Sequence, residues 1–318
     1  MSGKLILGVD GGGSKTAVQI ATVGHDGAFH VLGSGFGGPG NACAVGLEQA
    51  EIHLNQAIVA ARSNAGLGEK DKLSVAVLAL AGSTITEIRK ALLDWMEKSR
   101  LADRVELVHD AEPVIAMGLS ESKGVAMIVG TGSVAIGVDG RGKRAVVGGW
   151  GHWFGDTGSG YDLGRSALAA LAAYVDGLGP ETVLVQAILR QLGVRDPRQV
   201  LGALGHSGDI HREIATLVPL ILDTADQGDK VARDIVDSAA ATASRLVQAA
   251  IKQVGLGPDS PLALAGGVAV SSEYYRSALV RQLNEIGIFP EKVNVVHQPV
   301  EGSLIMARDL LLSERNDG

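Results

Sequence analysis

The first forty residues alternate between apolar and polar positions with the period of extended chain. Residues 5–9 form an apolar run, and residues 16–23 are β-branched and alternating. After a turn signal at 24–27, residues 28–32 repeat the pattern and lead into the glycine-rich stretch 33–41. A period of two is typical of strands, and clustered glycine and aspartate mark the turns between them. We therefore predict three meandering strands followed by a glycine-rich loop.

Beyond this loop the spacing of apolar residues changes to a period of 3.6. Helices are predicted at 44–65, 84–99 and 111–119, and buried strands at 74–81 and 104–108. Helices that alternate with fully apolar strands are typical of an α/β fold whose sheet is covered by helices.

The same order of elements begins again near residue 125. Residues 125–129, 134–138 and 144–147 are predicted strands, separated by a glycine turn at 130–133 and a second turn at 139–142. The rest of the chain predicts helices over most of 159–254, strands at 261–265 and 293–296 around one more helix, and a last helix at 301–313. This repeat indicates an internal duplication, with two similar α/β domains whose glycine turns face one cleft.

The composition excludes several classes of protein. The chain has 318 residues, 46% apolar and 20% charged, which suffices for a sizeable core and two domains. Its net charge is −7 and it has no Lys/Arg-rich run with interleaved aromatics, so we expect no nucleic-acid partner. Cys43 is the single cysteine, which excludes an intrachain disulfide and a cysteine-ligated zinc or iron–sulfur site within one chain.

We expect neither export nor a membrane partner. The apolar run after Lys4 is too short for the core of a signal peptide. No run approaches the roughly 18 apolar residues of a spanning helix. A reducing cytoplasm fits this picture and the single cysteine.

Residues 8–16, GVDGGGSKT, have the composition of a phosphate-binding loop but not the spacing of the Walker A loop. That loop needs a glycine directly before its lysine and a helix after it. Here Ser14 precedes Lys15, and a predicted strand follows. The turn at 130–133 fits the start of a dinucleotide fingerprint, which also needs a helix, but another turn follows at 139–142. Both glycine turns are therefore predicted to join strands.

Several motifs, in order along the chain, resemble the actin/hexokinase/Hsp70-like ATPases, and within them the group that includes N-acetylglucosamine kinase and the BadF/BadG/BcrA-type ATPases. The motifs are the first phosphate motif at 8–16, the connecting motifs at 109–113 and 301–304, the second phosphate motif at 130–133, and the adenosine motif at 262–268. Residues 37–41, GGPGN, and 148–160, GGWGHWFGDTGSG, are similar to the amino-sugar kinases in particular. The resemblance covers nearly the whole chain.

The resemblance implies an α/β fold of duplicated ribonuclease H-like, actin-like ATPase domains around a central cleft. The first domain is expected at 1–116, joined by the C-terminal helix 302–318, and the second at 117–301. ATP and Mg²⁺ are the implied cofactors, and a homodimer is common among such relatives.

The resemblance also implies which residues bind the cofactors. Those expected to bind ATP are Gly12, Gly13, Ser14, Lys15, Thr16, Thr131, Gly132, Ser133, Gly266 and Gly267. Glycine turns can wrap phosphates with backbone N–H groups because no side chain obstructs them. Asp10, at the end of the first strand, is expected to hold Mg²⁺ directly or through its waters. The alternative is a turn-forming aspartate in an Asp-Gly pair.

Asp110 is the candidate catalytic residue. It follows a predicted strand, and the family pattern makes it the base that accepts the proton of the attacking sugar hydroxyl. One alternative is that Asp110 caps the helix that follows it, a role that could coexist with catalysis. Another is that His109 and Asp110 form part of a metal-phosphohydrolase site, which would need further histidines.

The candidate substrate residues lie in two glycine-rich segments. The residues expected to contact the sugar are Gly40, Asn41, Asp110, Trp150, Gly155 and Asp156. Asn41 and Asp156 offer donors and acceptors to a polyhydroxylated ring, and Trp150 or Trp153 could stack on it. The alternatives are that the tryptophans pack in the core and that Asp156 caps a helix beginning near Ser159.

These observations lead to one expected function and two alternatives. We expect an ATP-dependent kinase that phosphorylates the 6-hydroxyl of N-acetylglucosamine, or else glucosamine or another hexosamine. The alternative of a different class is a regulatory ATPase of the BadF type. Such an activator needs cysteines to bind a cluster shared between two subunits, and Cys43 lies in the predicted sugar loop.

Overall fold

The computed structural model describes residues 3–68, 70–205 and 209–316. It divides into two compact units. Unit 1 contains the described residues up to Ser120 together with those from Gln298 onward, and unit 2 runs from Glu121 to His297. Each unit has its own sheet and its own core.

The strands follow the predicted order. They are β1 (Lys4–Gly11), β2 (Thr16–Val23), β3 (Phe29–Gly37), β4 (Val75–Leu80), β5 (Arg104–Val108), β6 (Lys123–Val129), β7 (Ser133–Asp139), β8 (Arg144–Gly148), β9 (Leu262–Ala265) and β10 (Val293–Val295).

The helices cover the sheets and fill most of the second half of the chain. They are α1 (Ala42–Val45), α2 (Leu47–Asn64), α3 (Thr86–Ser99), α4 (Glu112–Gly118), α5 (Gly160–Val175), α6 (Leu184–Gln191), α7 (Val200–Ala203), α8 (Ile210–Ala215), α9 (Val218–Asp226), α10 (Lys230–Val254), α11 (Gly267–Ser271), α12 (Glu273–Glu285) and α13 (Pro299–Asn316). Across the described ranges, no helix is both long enough and apolar enough to cross a membrane.

The two sheets have the same topology, which confirms the predicted duplication. In unit 1 the strand order is β3-β2-β1-β4-β5, and in unit 2 it is β8-β7-β6-β9-β10. In each sheet the first three strands form an antiparallel meander and the last two run parallel to the first. The carboxyl ends of the parallel strands therefore meet at one edge of each sheet, where ligands bind in open α/β sheets.

Strand β3 extends further than the sequence pattern predicts. Residues 33–37 were expected to begin a loop, but they continue the strand, so that expectation is wrong. The reason is the row of alternate glycines Gly33, Gly35 and Gly37, which face helix α2. A Cβ on any of them would overlap backbone atoms of α2 or of Ala65 just beyond it, so the helix packs directly on the strand.

Helix α13 returns from the far end of the chain to complete unit 1. Leu304, Ala307 and Leu311 pack on the sheet face opposite α2. The approach is close, because a Cβ on Gly8 would lie 2.8 Å from the backbone nitrogen of Leu304. This helix covers β1, β2 and β4 on that face of the sheet.

Candidate active site

The first glycine turn and the loop at 38–41 form one hydrogen-bonded piece. The backbone N–H of Gly12 donates to the Lys15 carbonyl over 3.0 Å, which closes the turn between β1 and β2. The Gly12 carbonyl in turn accepts from the backbone N–H groups of Gly40 (3.1 Å) and Asn41 (3.3 Å). The structure therefore brings together two segments that were singled out separately, one for phosphate and one for sugar.

The side chains of this turn point in two directions. Ser14 and Lys15 are exposed, while Thr16 is fully buried and its hydroxyl donates to the Gly38 carbonyl over 2.8 Å. The Thr16 hydroxyl thus holds the loop in place, and the expected contact of Thr16 with ATP stays a prediction. Gly13 differs again, because a Cβ there would meet no other atom within 4 Å. The exposed residues of the turn are therefore Ser14 and Lys15, and Gly12 and Gly13 are half-buried.

Asp10 and Asp110 lie at the same edge of the unit 1 sheet. Asp10 pairs with Ala79 of β4, Ala79 pairs with Val108 of β5, and Asp110 follows two residues later. Burial, and then the charge of Asp110, raise the pKa of Asp10 to about 7, although Lys15 acts in the opposite direction. The two carboxylates are therefore close enough to repel each other in a site that lacks a full complement of positive charge.

A divalent cation would relieve this repulsion, and the donor set suits magnesium. Mg²⁺ prefers oxygen ligands and is usually bound through one or two carboxylates together with phosphate oxygens and waters. Within the part of the chain that the structure describes, no group of three or more His, Cys, Asp or Glu side chains could hold a metal.

Asp110 does not serve as a helix cap. Helix α4 begins after Ala111, and its N-terminus has no side-chain cap among the described residues. The carboxylate of Asp110 instead lies 2.9 Å from Nδ1 of His109, and both side chains are about one-fifth exposed. The capping alternative is thus wrong, and the Asp110 carboxylate remains accessible with a histidine beside it.

Asn41 uses one half of its amide within the protein. Its side-chain oxygen accepts the backbone N–H of Cys43 over 2.9 Å and so caps the short helix α1. The same oxygen lies against Gly82, where a Cβ would be only 2.8 Å away. The amide nitrogen of Asn41 is the half of the side chain that can donate to a ligand.

In unit 2, the start of helix α5 holds the second glycine turn from behind. Within the turn, Gly130 N–H donates to the Gly132 carbonyl over 2.9 Å. From α5, Gly160 N–H donates to the Gly130 carbonyl over 2.8 Å, and Tyr161 N–H donates to the Thr131 carbonyl over 3.2 Å. No pattern in the sequence predicts these contacts, since they join segments about thirty residues apart.

The residues just before α5 hold the same turn through Ser133. Ser133 is buried, its hydroxyl donates to the Thr157 carbonyl over 2.8 Å, and its backbone N–H donates to Oδ1 of Asp156 over 3.1 Å. Helix α5 is capped by Ser159, whose hydroxyl accepts from the Asp162 N–H. The expectation that Asp156 caps this helix is therefore wrong. Its carboxylate binds the second glycine turn instead.

The electrostatics of Asp156 reflect this position. Burial raises the pKa of its carboxyl, and the Ser133 N–H and the nearby His152 offset part of that rise. Asp156 also adopts a left-handed backbone conformation, with φ of 52°. The carboxylate is thus held against the turn by a conformation that few non-glycine residues adopt.

An aromatic cluster stands beside this segment. Trp150 is 70% exposed and Trp153 is 82% exposed, so the core-packing alternative is wrong for both. The imidazoles of His152 and His211 stack with centroids 3.3 Å apart, and Tyr161 packs edge-on against both. Burial and the neighbouring His152 lower the pKa of His211. His211 has no sequence motif around it, so only the fold reveals it.

The two glycines of the adenosine motif have different surroundings. Gly266 has φ of +91°, and a Cβ there would overlap the Val129 carbonyl and lie 2.8 Å from the nitrogen of Gly130. A Cβ on Gly267 would meet no atom within 4 Å. Gly266 therefore packs the end of β9 against the second glycine turn, and Gly267 presents open backbone next to it.

Comparisons with known proteins place the chain in one ATPase family and find amino-sugar kinases among its relatives. Residues 7–307 match the model of the BadF/BadG/BcrA/BcrD ATPase family. The chain is 29% identical over 306 residues to an N-acetylmuramic acid/N-acetylglucosamine kinase of Clostridium acetobutylicum, covering 96% of this chain and 98% of that protein. It is 26% identical over 320 residues to an N-acetyl-D-glucosamine kinase of Dictyostelium discoideum, again covering 96% and 98%.

Solved structures show the same fold. A candidate N-acetylglucosamine kinase from Chromobacterium violaceum superposes with a TM-score of 0.74 at 22% identity, over 97% of this chain and 100% of that one. A ROK family glucokinase from Streptomyces griseus, in complex with glucose and AMPPNP, gives a TM-score of 0.64 at 19% identity over 96% and 98%. At these identities the likeness establishes the architecture, which is that of the duplicated ribonuclease H-like domains.

Proposed function

The chain belongs to the BadF/BadG/BcrA/BcrD ATPase family, and on this basis we propose that it is an ATP-dependent amino-sugar kinase that phosphorylates the 6-hydroxyl of N-acetylglucosamine. The observation that carries the proposal is that two relatives matched over nearly their full length are kinases of N-acetylglucosamine. Supporting it, Asp110 is partly exposed and is not used as a helix cap. Such a carboxylate can act as a base on a sugar hydroxyl.

The proposed role of Asp110 is to accept the proton of the 6-hydroxyl as that oxygen attacks the γ-phosphorus. Phosphoryl transfer depends mainly on positioning and on charge stabilisation, so one well-placed carboxylate is sufficient for the proton. Nδ1 of His109 lies 2.9 Å from that carboxylate. As the bond from the sugar oxygen to the γ-phosphorus forms, the bond from that phosphorus to the bridging oxygen breaks and ADP leaves.

We assign the phosphates of ATP to the two glycine turns. In unit 1 the proposal assigns residues 12–15 to the phosphates, and the exposure of Ser14 and Lys15 supports it. In unit 2 the proposal assigns Thr131 and Gly132 to the phosphates, and Ser133, whose N–H and hydroxyl are bound to Asp156 and Thr157, supports the turn. The proposal assigns Gly266 and Gly267 to the adenosine, for which the open backbone at Gly267 gives support.

Asp10 is the proposed magnesium ligand. Bound Mg²⁺ would neutralise charge on the transferring phosphate. The raised pKa of Asp10 supports this role, because a carboxylate destabilised by burial and by Asp110 gains most from a cation. Asp10 would bind the cation directly or through its waters, and Lys15 supplies part of the balancing charge in the absence of metal.

For the sugar, we propose polar contacts from Asn41 and Asp156. The amide nitrogen of Asn41 can donate to a ring or acetamido oxygen, while the Asp156 carboxylate can accept from hydroxyls. The exposed ring of Trp150 offers an apolar face to the sugar or its acetyl group. The backbones at Gly40 and Gly155, close to these side chains in sequence, complete the proposed contacts.

The acceptor is tested directly by ADP release with Mg-ATP against N-acetylglucosamine, glucosamine, glucose and N-acetylmuramic acid, with a control that lacks sugar. We expect N-acetylglucosamine to give the highest kcat/KM and its 6-phosphate as the product, identified by ³¹P NMR. A free amine as best acceptor would move the assignment to glucosamine. ADP release that ignores every sugar would favour a regulatory ATPase and contradict the proposal.

A further inference from the structure

One short segment, residues 156–157, holds both the backbone N–H and the hydroxyl of Ser133. Asp156 accepts the Ser133 backbone N–H over 3.1 Å, and the Thr157 carbonyl accepts the Ser133 hydroxyl over 2.8 Å. The Asp156 carboxylate also lies against Gly132, where a Cβ would be 2.6 Å from Oδ1. Asp156 is thus in contact with two successive residues of the second glycine turn.

The backbone of Asp156 adopts a conformation that delivers this contact. Its φ of 52° lies in the left-handed region, which a residue with a side chain adopts at a cost. Its side chain is partly buried, so the hydrogen bond to Ser133 is shielded from water. The hydrogen bond to Ser133 offsets part of the cost of this conformation.

An ionised carboxylate can accept several hydrogen bonds at once. It has about four acceptor positions on two oxygens, of which the Ser133 N–H uses one. A sugar hydroxyl that donates to Asp156 would leave the bond to Ser133 in place and fix the side-chain rotamer. The second glycine turn would then be ordered before nucleotide binds. The nucleotide would lose less conformational entropy on binding, because the sugar has already ordered the turn.

We propose that Asp156 is a positioning residue that couples sugar binding to nucleotide binding through the backbone amide of Ser133. The inference rests on the proposed function, which assigns the sugar to Asp156 and the nucleotide phosphates to the second glycine turn. Coupling of this kind is reciprocal, so each ligand tightens the other by the same factor. We expect a factor of about 5 to 50, within the usual range for coupled sites.

The coupling is measured by calorimetric titration of Mg-ADP into the protein with and without saturating N-acetylglucosamine. The wild-type protein should bind ADP at least fivefold more tightly with sugar. In Asp156→Ala, the ratio of the Kd for ADP without sugar to the Kd with sugar should be near one, at a sugar concentration that saturates this variant. Asp156→Asn keeps an oxygen for the Ser133 N–H and should retain most of the coupling. Asp156→Gly suits the positive φ and removes the carboxylate, so it repeats the test in a variant with no backbone strain.

Asn41→Asp is the matched control. Asn41 is a proposed sugar contact in unit 1, so this variant should bind sugar more weakly but keep the wild-type ratio once sugar is saturating. A ratio that falls equally in Asn41→Asp would show that weak sugar binding alone lowers it, and would overturn the role of Asp156.

A second measurement follows the turn itself without nucleotide. With ¹⁵N-serine labelling, the Ser133 amide resonance is identified by its loss in Ser133→Ala. Sugar alone should shift that resonance in the wild-type protein and leave it unmoved in Asp156→Gly. If sugar binds and the Ser133 resonance does not move, or if sugar and ADP bind with a ratio of one, the coupling is overturned while the kinase assignment stands. If no sugar binds and none is phosphorylated, both fail.

Discussion

The buried hydroxyl of Thr16 donates a 2.8 Å hydrogen bond to the carbonyl oxygen of Gly38, a residue 22 positions away. This bond joins the start of β2 to the loop that carries Asn41. It is reinforced by the Gly12 carbonyl, which accepts from the backbone of the same loop. The proposed phosphate and sugar contacts of unit 1 are therefore mechanically linked.

Replacing Thr16 with valine should remove this hydrogen bond and leave the rest of the fold unchanged. The valine has nearly the same shape but leaves the Gly38 carbonyl without its donor, which costs about 1–3 kcal/mol of unfolding free energy. We expect a lower melting temperature and a KM for sugar raised by roughly tenfold. Thr16→Ser keeps the hydroxyl and should behave much more like the wild-type protein. Equal effects of the two changes would show that the methyl group, not the hydrogen bond, matters.

Gly13→Ala tests whether the first glycine turn binds phosphate. A Cβ at this position meets no atom of the protein within 4 Å, so the fold should be unaffected. If the backbone there contacts ATP, the added methyl group should raise the KM for ATP at least tenfold. Gly202→Ala is the matched control, since its Cβ also meets open space and it lies in helix α7, outside the proposed site. Normal ATP kinetics in Gly13→Ala would exclude close backbone contact at this residue.

Asn41 can be divided into its two functions. Asn41→Asp keeps an oxygen to cap helix α1 through the Cys43 N–H but removes the amide donor. Asn41→Ala removes both, and loss of such a cap typically costs about 1 kcal/mol. We expect both variants to raise the KM for sugar far more than that for ATP, and only the alanine variant to lose stability. Unchanged sugar kinetics in Asn41→Asp would show that the residue serves the helix alone.

Asp110→Asn should abolish transfer with little effect on ATP binding. The amide cannot accept the hydroxyl proton, so we expect kcat to fall by a factor of about 10² to 10⁴. Asp103→Asn, just before strand β5 and exposed, is a control that should keep wild-type kcat. Kinetics with ADP release and a separate ATP titration distinguish the two steps. A kcat within threefold of the wild-type value would contradict the assigned role.

Asp10 should make the metal-free protein less stable as pH rises. Its folded-state pKa is about 7, above the ordinary value of 3.8, so the folded protein keeps a proton that the unfolded chain has lost. The stability from this proton is complete below about pH 4 and is lost as pH rises through 7. In EDTA, the unfolding free energy of the wild-type protein should therefore fall between pH 5 and pH 8 relative to that of Asp10→Asn. We expect this difference to be on the order of 2 kcal/mol after allowance for solvent screening.

Magnesium should reverse this difference at pH 8 for the wild-type protein only, because the asparagine lacks the charge that a cation would neutralise. Thermal melts at both pH values, with EDTA or Mg²⁺, make the comparison. A stability difference that is the same at pH 5 and pH 8 would show that the Asp10 proton does not contribute.

Local pattern was enough to predict the order of the elements. The switch from alternating strands to helices at 3.6 spacing occurs twice, at corresponding points of two sheets with one topology. Where the prediction was wrong, tertiary packing decided the outcome. Residues 33–37 look like a loop because they are rich in glycine, but helix α2 needs that bare surface, and the strand continues.

The roles of site residues were harder to predict because they depend on contacts between distant segments. That the Thr16 hydroxyl points inward to Gly38, and that Asp156 binds Ser133 rather than capping α5, follows from packing and not from spacing. The stacking of His152 on His211 joins residues 59 positions apart with no motif in common. The expected homodimer and the assigned ligand contacts stay predictions.

The position of helix α13 in the chain has a consequence for synthesis on the ribosome. Ser303 and Leu304, which pack on Val9 and Gly8, are translated only after all of unit 2. At about 5–20 residues per second, the nascent sheet of unit 1 waits roughly ten to thirty-five seconds before α13 can cover it. Unit 2, which is continuous in the chain, has no such delay. The half of the protein that is made first is thus the half whose core is completed last.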